Sequence, residues 1–122
     1  VKLVYKTFGE VGRLPQKIEN NIFRIIQEAI NNAIKYSGAQ VIEVSLSQEE
    51  SDLVITVKDE GRGFDTKLVE ARSVNIESGR GFFNMYERTE YVNGKLTIQS
   101  TPNHGTTVTL IVPVKNTIST EV

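Results

Sequence analysis

One long segment, from about Ile18 to Tyr36, repeats its apolar residues with the period of an α-helix. Seven of them share one side of the helix: Ile18, Ile22, Ile25, Ile26, Ala29, Ile30 and Ala33. The segment ends at Ser37-Gly38, where glycine can adopt the left-handed conformation of a helix cap. A helix with one apolar side has to bury that side against another layer, so the chain needs a sheet or further helices beside it.

Alternating apolar residues predict strands on both sides of this helix. We predict strands at Val1–Phe8, Val41–Leu46, Leu53–Asp59, Lys95–Ser100 and Thr106–Pro113, a polar hairpin at Gln48–Asp52 and a second helix at Phe82–Tyr91. The elements do not alternate as regular βαβ units. The order therefore favours an α+β fold, a two-layer α/β sandwich with a mixed, mostly antiparallel sheet and helices on one face. Two such layers leave room for a pocket between them.

The length, the charge and the cysteine and histidine content of the chain exclude several classes of function. The 122 residues suit one domain, which we place at 1–114, followed by a polar C-terminal tail at 115–122. With 14 basic and 15 acidic residues, the net charge of -1 does not indicate a nucleic-acid partner. The absence of cysteine excludes disulfides and thiolate metal sites, and a single histidine, His104, excludes a histidine-rich metal site. Because Val1 opens the chain in a strand pattern, we expect a piece of a longer protein.

The polar side of the first helix carries candidate site residues. Glu28, Asn32 and Lys35 are spaced i, i+4 and i+7, so they project from one stripe, and Asn31 lies beside it. A solvated helix face is the ordinary explanation of such a stripe. Two adjacent asparagines argue against it, because asparagine is a mediocre helix former. An amide oxygen at this place could be a ligand for a hard cation.

Asp59 follows Leu53, Ile55 and Val57 at every second position of the strand, so its side chain projects from the same, inward face. A buried carboxylate needs a partner, because the loss of water is costly. It could cap the turn that follows by accepting backbone N–H groups, or it could accept a hydrogen bond from the amino group of a ligand. Thr106 has inward parity on the last strand and is a candidate companion.

Two Gly-x-Gly elements lie at the two ends of the irregular region 61–81. The first lies in Asp59-Glu60-Gly61-Arg62-Gly63-Phe64 and the second in Gly79-Arg80-Gly81-Phe82, which we expect to open the second helix. Such glycines let the backbone approach a ligand and offer N–H groups to a phosphate. Neither element matches a P-loop or a dinucleotide-binding fingerprint.

These motifs, in this order, resemble the catalytic ATP-binding domain of sensor histidine kinases, within the superfamily that also includes gyrase, chaperones and mismatch-repair proteins. The segment from Gln27 to Ser37 resembles the N box, Asp59 to Phe64 the G1 box, Gly79 to Arg88 the G2 region, and Asn93 to Leu96, His104 to Val108 and Val112-Pro113 the closing strands. Nearly the whole chain is covered.

The subfamily pattern is similar to that of kinases paired with NarL/LuxR-type response regulators. It consists of Glu28 four residues before Asn32, the Asn-Met-x-Glu-Arg sequence at 84–88 and a short segment between the two glycine elements. The chain departs from the family where Phe82 replaces the usual leucine and Tyr86 a frequent basic residue. Residues 64–78 contain no separate F box.

The resemblance implies a Bergerat-type sandwich with ATP between the helices and the sheet. Asn32 would hold Mg²⁺, and Glu28 would act as the general base or polarise the acceptor histidine. Lys35 would contact a phosphate, and Tyr36 would lie near the nucleotide. Asp59 would accept from the adenine amino group, assisted by Thr106 through water. The remaining ATP-binding residues implied are Asn31, Gly61, Gly63, Phe64, Gly79, Arg80, Gly81 and Phe82.

The resemblance also implies partners. The phosphoryl group would pass to a histidine on a separate, upstream dimerisation helix and then indirectly to a response regulator. We expect His104 to be a surface loop residue and the fragment to be monomeric. The longer kinase would be a homodimer with this domain in the cytoplasm, anchored in the bacterial membrane. Two alternatives stay open: an anti-sigma-factor serine kinase, which shares the Glu-x-x-x-Asn helix, and a non-enzymatic nucleotide-gated clamp.

Overall fold

The computed structural model describes residues 1–9, 12, 14–62 and 77–114, and of Tyr36 and residues 77–82 it describes the backbone alone. The elements are β1 (Lys2–Phe8), α1 (Gln16–Asn32), β2 (Val41–Glu49), β3 (Asp52–Asp59), α2 (Glu77–Tyr91), β4 (Lys95–Ser100) and β5 (Thr106–Pro113). One turn of π-helix, Ala33–Ser37, continues α1. The predicted tail at 115–122 lies outside the described residues.

The strands form one sheet in the order β1-β2-β3-β5-β4. The β1–β2 pair is parallel, whereas β2–β3, β3–β5 and β4–β5 are antiparallel. The parallel pair is possible because α1 lies between β1 and β2 in the chain and provides the crossover. The predicted mixed, mostly antiparallel sheet is therefore confirmed.

The core lies between the sheet and the two helices. Alternate residues of the central strands are buried: Ile42 and Val44 on β2, Leu53, Ile55 and Val57 on β3, and Val108, Leu110 and Val112 on β5. They form one cluster with Ile22, Ile25 and Ala29 of α1 and with Met85 of α2. Each large side chain buried in this way stabilises the fold by about 1.5–3 kcal/mol. The two-layer arrangement follows from this shared core.

The helices lie side by side on the sheet. The guanidinium Nη1 of Arg88 on α2 donates a hydrogen bond to Oδ1 of Asn21 on α1 over 3.2 Å. Asn21 Nδ2 in turn donates to the backbone carbonyl of Lys17. This contact and the buried Met85 fix α2 against α1. None of the described helices is long and apolar enough to cross a membrane.

Three predicted boundaries are wrong by a few residues. Helix α1 starts at Gln16, directly after Pro15, instead of Ile18, and its regular part ends at Asn32. Strand β2 continues to Glu49, so the hairpin turn has only two residues and Glu50 takes a positive φ of 51°.

Helix α2 begins at Glu77 instead of Phe82. The second Gly-x-Gly element at 79–81 therefore lies inside the first turns of the helix instead of before it. Glycine disfavours helix only by about 1 kcal/mol relative to alanine, so packing of the rest of α2 can override it.

Candidate functional site

The polar side of α1 presents its side chains one helical turn apart. Glu28 and Asn32 are both half-buried, whereas Asn31 is exposed. The Nδ2 atom of Asn32 is buried and has no hydrogen-bond partner in the part of the chain that the structure describes. A buried N–H donor without a partner costs about 1–3 kcal/mol. Asn32 is therefore the residue of this stripe most suited to a bound ligand.

The π-helical turn contains the last residue of the predicted stripe. Lys35 lies inside the turn Ala33–Ser37, in which the hydrogen bonds run over five residues instead of four. Lys35 therefore lies beyond the regular α-helix on which the i, i+4, i+7 spacing is based, and its place in the stripe with Glu28 and Asn32 stays a prediction. Lys35 remains exposed at the end of the same helix.

Asp59 occupies the end of β3 and is only 5% exposed, as its parity predicts. Its Oδ1 atom accepts a hydrogen bond from the Gly61 N–H over 2.8 Å. Asp59 thus caps the turn that follows β3, which is one of its two predicted roles, and this hydrogen bond holds the carboxylate in one orientation. Such a fixed acceptor at the edge of the core can also face a ligand.

Thr106 lies directly opposite Asp59 in the antiparallel register of β3 and β5. Opposite residues of an antiparallel pair project from the same face. The Oγ1 atom of Thr106 is 2.8 Å from the Oγ atom of Ser100, to which it is hydrogen-bonded. The predicted inward pair of Asp59 and Thr106 is therefore present.

Backbone contacts join three loops beside Asp59. The Arg62 N–H donates to the Ser37 carbonyl at the end of α1 over 2.7 Å, and the Arg62 carbonyl accepts from the Asn103 N–H in the β4–β5 loop. A side chain at Gly61 would overlap the Ser37 carbonyl, and one at Gly105 would overlap the Asp59 carbonyl. We call these five residues, Ser37, Gly61, Arg62, Asn103 and Gly105, the loop junction.

Sequence reasoning missed part of the loop junction. Ser37, Arg62 and Gly105 were inside the quoted motifs but received no role. A signal for Gly105 exists, because Asn103 and Gly105 are residue types that tolerate positive φ, and both adopt it here, at 68° and 82°. No local pattern predicts that Ser37 and Arg62 meet, because they are far apart in the chain.

Several predicted site residues stay predictions. Gly63 and Phe64 lie outside the described residues. For Gly79, Arg80, Gly81 and Phe82 the backbone belongs to α2, but their side chains, like that of Tyr36, are outside the description. His104 is exposed in the β4–β5 loop, as predicted.

The chain matches the family of histidine kinase-, DNA gyrase B- and HSP90-like ATPases over residues 17–116. This match covers most of the chain, so the chain belongs to that ATPase family. The sheet, the two helices over one face and the motif order agree with this assignment. Membership of an ATPase family implies ATP as the nucleotide.

Two curated relatives carry histidine kinase names. The chain is 40% identical over 114 residues to the oxygen sensor histidine kinase NreB of Staphylococcus carnosus. It is 31% identical over 110 residues to the signal transduction histidine-protein kinase/phosphatase DegS of Brevibacillus brevis. Each match covers 90% of this chain but only 30% and 27% of the relatives. The predicted resemblance to histidine kinases is confirmed.

Solved structures show the same fold. The blue-light activated histidine kinase of Erythrobacter litoralis EL346 superposes with a TM-score of 0.78 at 17% sequence identity, covering 97% of this chain and 36% of that one. At this identity the likeness concerns the fold alone, and it confirms the predicted α+β sandwich.

The loop junction yields a stability prediction. Gly61→Ala should lower the free energy of unfolding by about 1–3 kcal/mol, because the added methyl overlaps the Ser37 carbonyl and overpacking costs this much. Gly12→Ala is the matched control, since nothing lies within 4 Å of a Cβ there. Urea denaturation of the two variants measures the difference. Equal stabilities would show that Ser37 and Gly61 are not in contact.

Proposed function

We propose that this chain is the catalytic domain of a sensor histidine kinase. It binds Mg-ATP and donates the γ-phosphoryl group to a histidine on a separate dimerisation helix. The observation that carries the proposal is the loop junction, which joins the buried carboxylate of Asp59 to the end of the helix that carries Asn32. Together with the ATPase family and the kinase relatives, it supports one continuous nucleotide site.

The adenine end lies at Asp59 in this proposal. Asp59 is held by the Gly61 N–H, so its carboxylate is preoriented to accept a second hydrogen bond from the exocyclic amino group of adenine. Thr106, opposite Asp59, contributes a hydroxyl to the same end through water. Guanine presents a carbonyl oxygen at the corresponding position, which a carboxylate repels.

The phosphate end lies at the C-terminal half of α1. Asn32 fits a magnesium ligand, because its Nδ2 atom has no partner among the described residues to hold the amide in one orientation, and its Oδ1 atom is the kind of neutral oxygen that hard cations bind. When bound, Mg²⁺ neutralises charge on the phosphate oxygens. Lys35, exposed in the π turn, adds a positive charge for the same oxygens. The proposed nucleotide site is completed by Asn31, Tyr36, Phe64, Arg80, Phe82 and the glycines at 61, 63, 79 and 81.

Glu28 has a different task from Asn32. During transfer, an imidazole nitrogen of the acceptor histidine forms a bond to the γ-phosphorus while the bond to the bridging oxygen breaks and ADP leaves. Glu28, half-buried one turn before Asn32, accepts a hydrogen bond or the proton from the other side of the imidazole. It thereby makes the nitrogen a better nucleophile without contacting the nucleotide.

The partners follow from the same proposal. The acceptor belongs to a dimerisation domain of the longer kinase, and the phosphoryl group passes from it to a response regulator, of the NarL/LuxR type by the motif pattern. The longer kinase is a homodimer anchored in the membrane, with this domain in the cytoplasm. A serine kinase acting on a partner protein, or a nucleotide clamp without transfer, would lack phosphohistidine as a product, which acid lability distinguishes from phosphoserine.

Adenine recognition is tested by calorimetry with non-hydrolysable analogues. The domain should bind the Mg-ATP analogue with a dissociation constant of about 10–100 μM and the GTP analogue much more weakly. Asp59→Asn should cost about 1–3 kcal/mol of ATP affinity, because the amide can present an N–H to the adenine amino group. Asp52→Asn, at the other end of β3, is the control and should change little. Equal affinity for the two nucleotides would refute the assignment of Asp59.

Binding and transfer are separated by a second pair of variants. Asn32→Ala should weaken Mg-ATP binding and abolish transfer. Glu28→Gln should keep nucleotide affinity within about threefold and lower the transfer rate by roughly 10²–10⁴, the usual contribution of a general base. The assay needs the acceptor domain in cis or added in trans, with Glu90→Gln on α2 as a control for loss of an exposed helix carboxylate.

Each outcome of this pair has a distinct meaning. If Glu28→Gln lost ATP binding as severely as Asn32→Ala, Glu28 would belong to the nucleotide site. If Glu28→Gln lost neither binding nor transfer, the polar stripe of α1 would be only a solvated helix face.

A further inference from the structure

We propose that Ser37 is a positioning residue that fixes the phosphate end of the nucleotide site relative to the adenine end. The inference rests on the proposed function, since it concerns how the same site distributes affinity between the base and the phosphates. Ser37 is 7% exposed and stands where the π turn of α1 meets the loop after β3.

The side chain of Ser37, the last residue of the π turn, forms a hydrogen bond with the first residue of that turn. Its Oγ donates to the Ala33 carbonyl over 2.6 Å and accepts from the Ala39 N–H over 3.0 Å. Hydroxyls that bond the carbonyl four residues earlier often bend helices, which suits a widened turn. Lys35 lies in the middle of this turn, so the Ser37 hydroxyl fixes the backbone from which Lys35 projects.

The backbone of Ser37 connects the same turn to the adenine end. Its carbonyl accepts from the Arg62 N–H, and Gly61 packs against it so closely that no Cβ fits between them. Gly61 in turn donates its N–H to Asp59. Two consecutive contacts, Asp59 to Gly61 and Gly61 to Ser37, therefore connect the carboxylate proposed for adenine with the turn proposed for the phosphates, and the Arg62 hydrogen bond reinforces the second.

The Arg62 side chain reinforces this connection. A Cβ built on Gly38, the residue that ends the π turn with a φ of 70°, would lie 3.1 Å from Nη2 of Arg62. The guanidinium thus lies beside the C-terminus of the helix, where a positive charge is favourable. The Arg62 side chain therefore lies beside the end of α1, which its backbone N–H already contacts.

A bound nucleotide contacts the adenine end and the phosphate end of the proposed site at the same time. Its affinity therefore depends on the distance between these two ends. A shift of the turn leaves the contact with the base intact but misplaces the groups for the outer phosphates. Loss of the Ser37 hydroxyl should therefore weaken binding of ATP more than binding of AMP. A role of Ser37 in stability alone would lower both affinities by the same factor.

The chain contains a matched control for the hydroxyl. Thr89 on α2 is 4% exposed, and its Oγ1 donates to the Met85 carbonyl over 2.6 Å, the same kind of buried bond over four residues. Ser37→Ala and Thr89→Val each remove one buried hydroxyl, and valine keeps the shape of threonine. Any effect of merely losing such a bond appears in both variants.

The experiment measures dissociation constants for AMP and for the non-hydrolysable Mg-ATP analogue by competition against a fluorescent nucleotide. For Ser37→Ala we expect the ratio of ATP to AMP affinity to fall at least about tenfold, while Thr89→Val keeps the wild-type ratio. Ser37→Thr, which restores the hydroxyl, should return the ratio to within about threefold of wild type. Melting temperatures are recorded for all variants.

An unchanged ratio in Ser37→Ala would overturn the inference and leave the proposed function intact. A wild-type chain that binds neither nucleotide would instead refute the proposed function itself. Should Ser37→Ala not fold, the ratio is taken from Ser37→Cys, whose thiol is a weaker donor of similar size. A wild-type ratio in that variant would equally overturn the inference.

Discussion

The end of α1 and the loop after β3 are held together by backbone contacts that leave no space for side chains. The Arg62 N–H meets the Ser37 carbonyl, and Gly61 fills the space in which any other residue would overlap it. The close approach brings two distant parts of the chain, the end of α1 and the loop after β3, into contact. Asp59 is at the end of strand β3 and Asn32 is at the end of the regular part of α1, and the junction connects the segments that follow these two ends.

The apolar core holds the two layers together. Apolar residues alternate along the strands and recur every 3.6 residues along the helix, so each element buries one face in the shared cluster around Ile25, Ile55 and Leu110. Such packing determines which face of the helix meets the sheet, and the polar stripe with Glu28 and Asn32 then remains at the side of the core. The core therefore determines which face of α1 carries these polar residues, and the loop junction holds the end of α1 against the loop after β3.

The strands, the class of fold and the inward position of Asp59 could be predicted from the sequence, because each depends on local periodicity. The π turn could not be predicted, since a continuous apolar period indicates an unbroken α-helix up to Tyr36. The start of α2 could not be predicted either, because glycines at 79 and 81 argue locally against a helix that packing of Met85 stabilises. The contact of Ser37 with Arg62 joins distant residues, and no pattern of one short segment predicts it.

We propose that one nucleotide spans Asp59 and Asn32, and a crystal structure of this chain with Mg²⁺ and a non-hydrolysable ATP analogue is the decisive measurement. We expect the adenine amino nitrogen at hydrogen-bond distance, about 3 Å, from the Asp59 carboxylate. We also expect the ion to contact the Asn32 amide oxygen. A purine bound away from Asp59, or phosphates directed away from α1, would show that the two residues do not share one nucleotide.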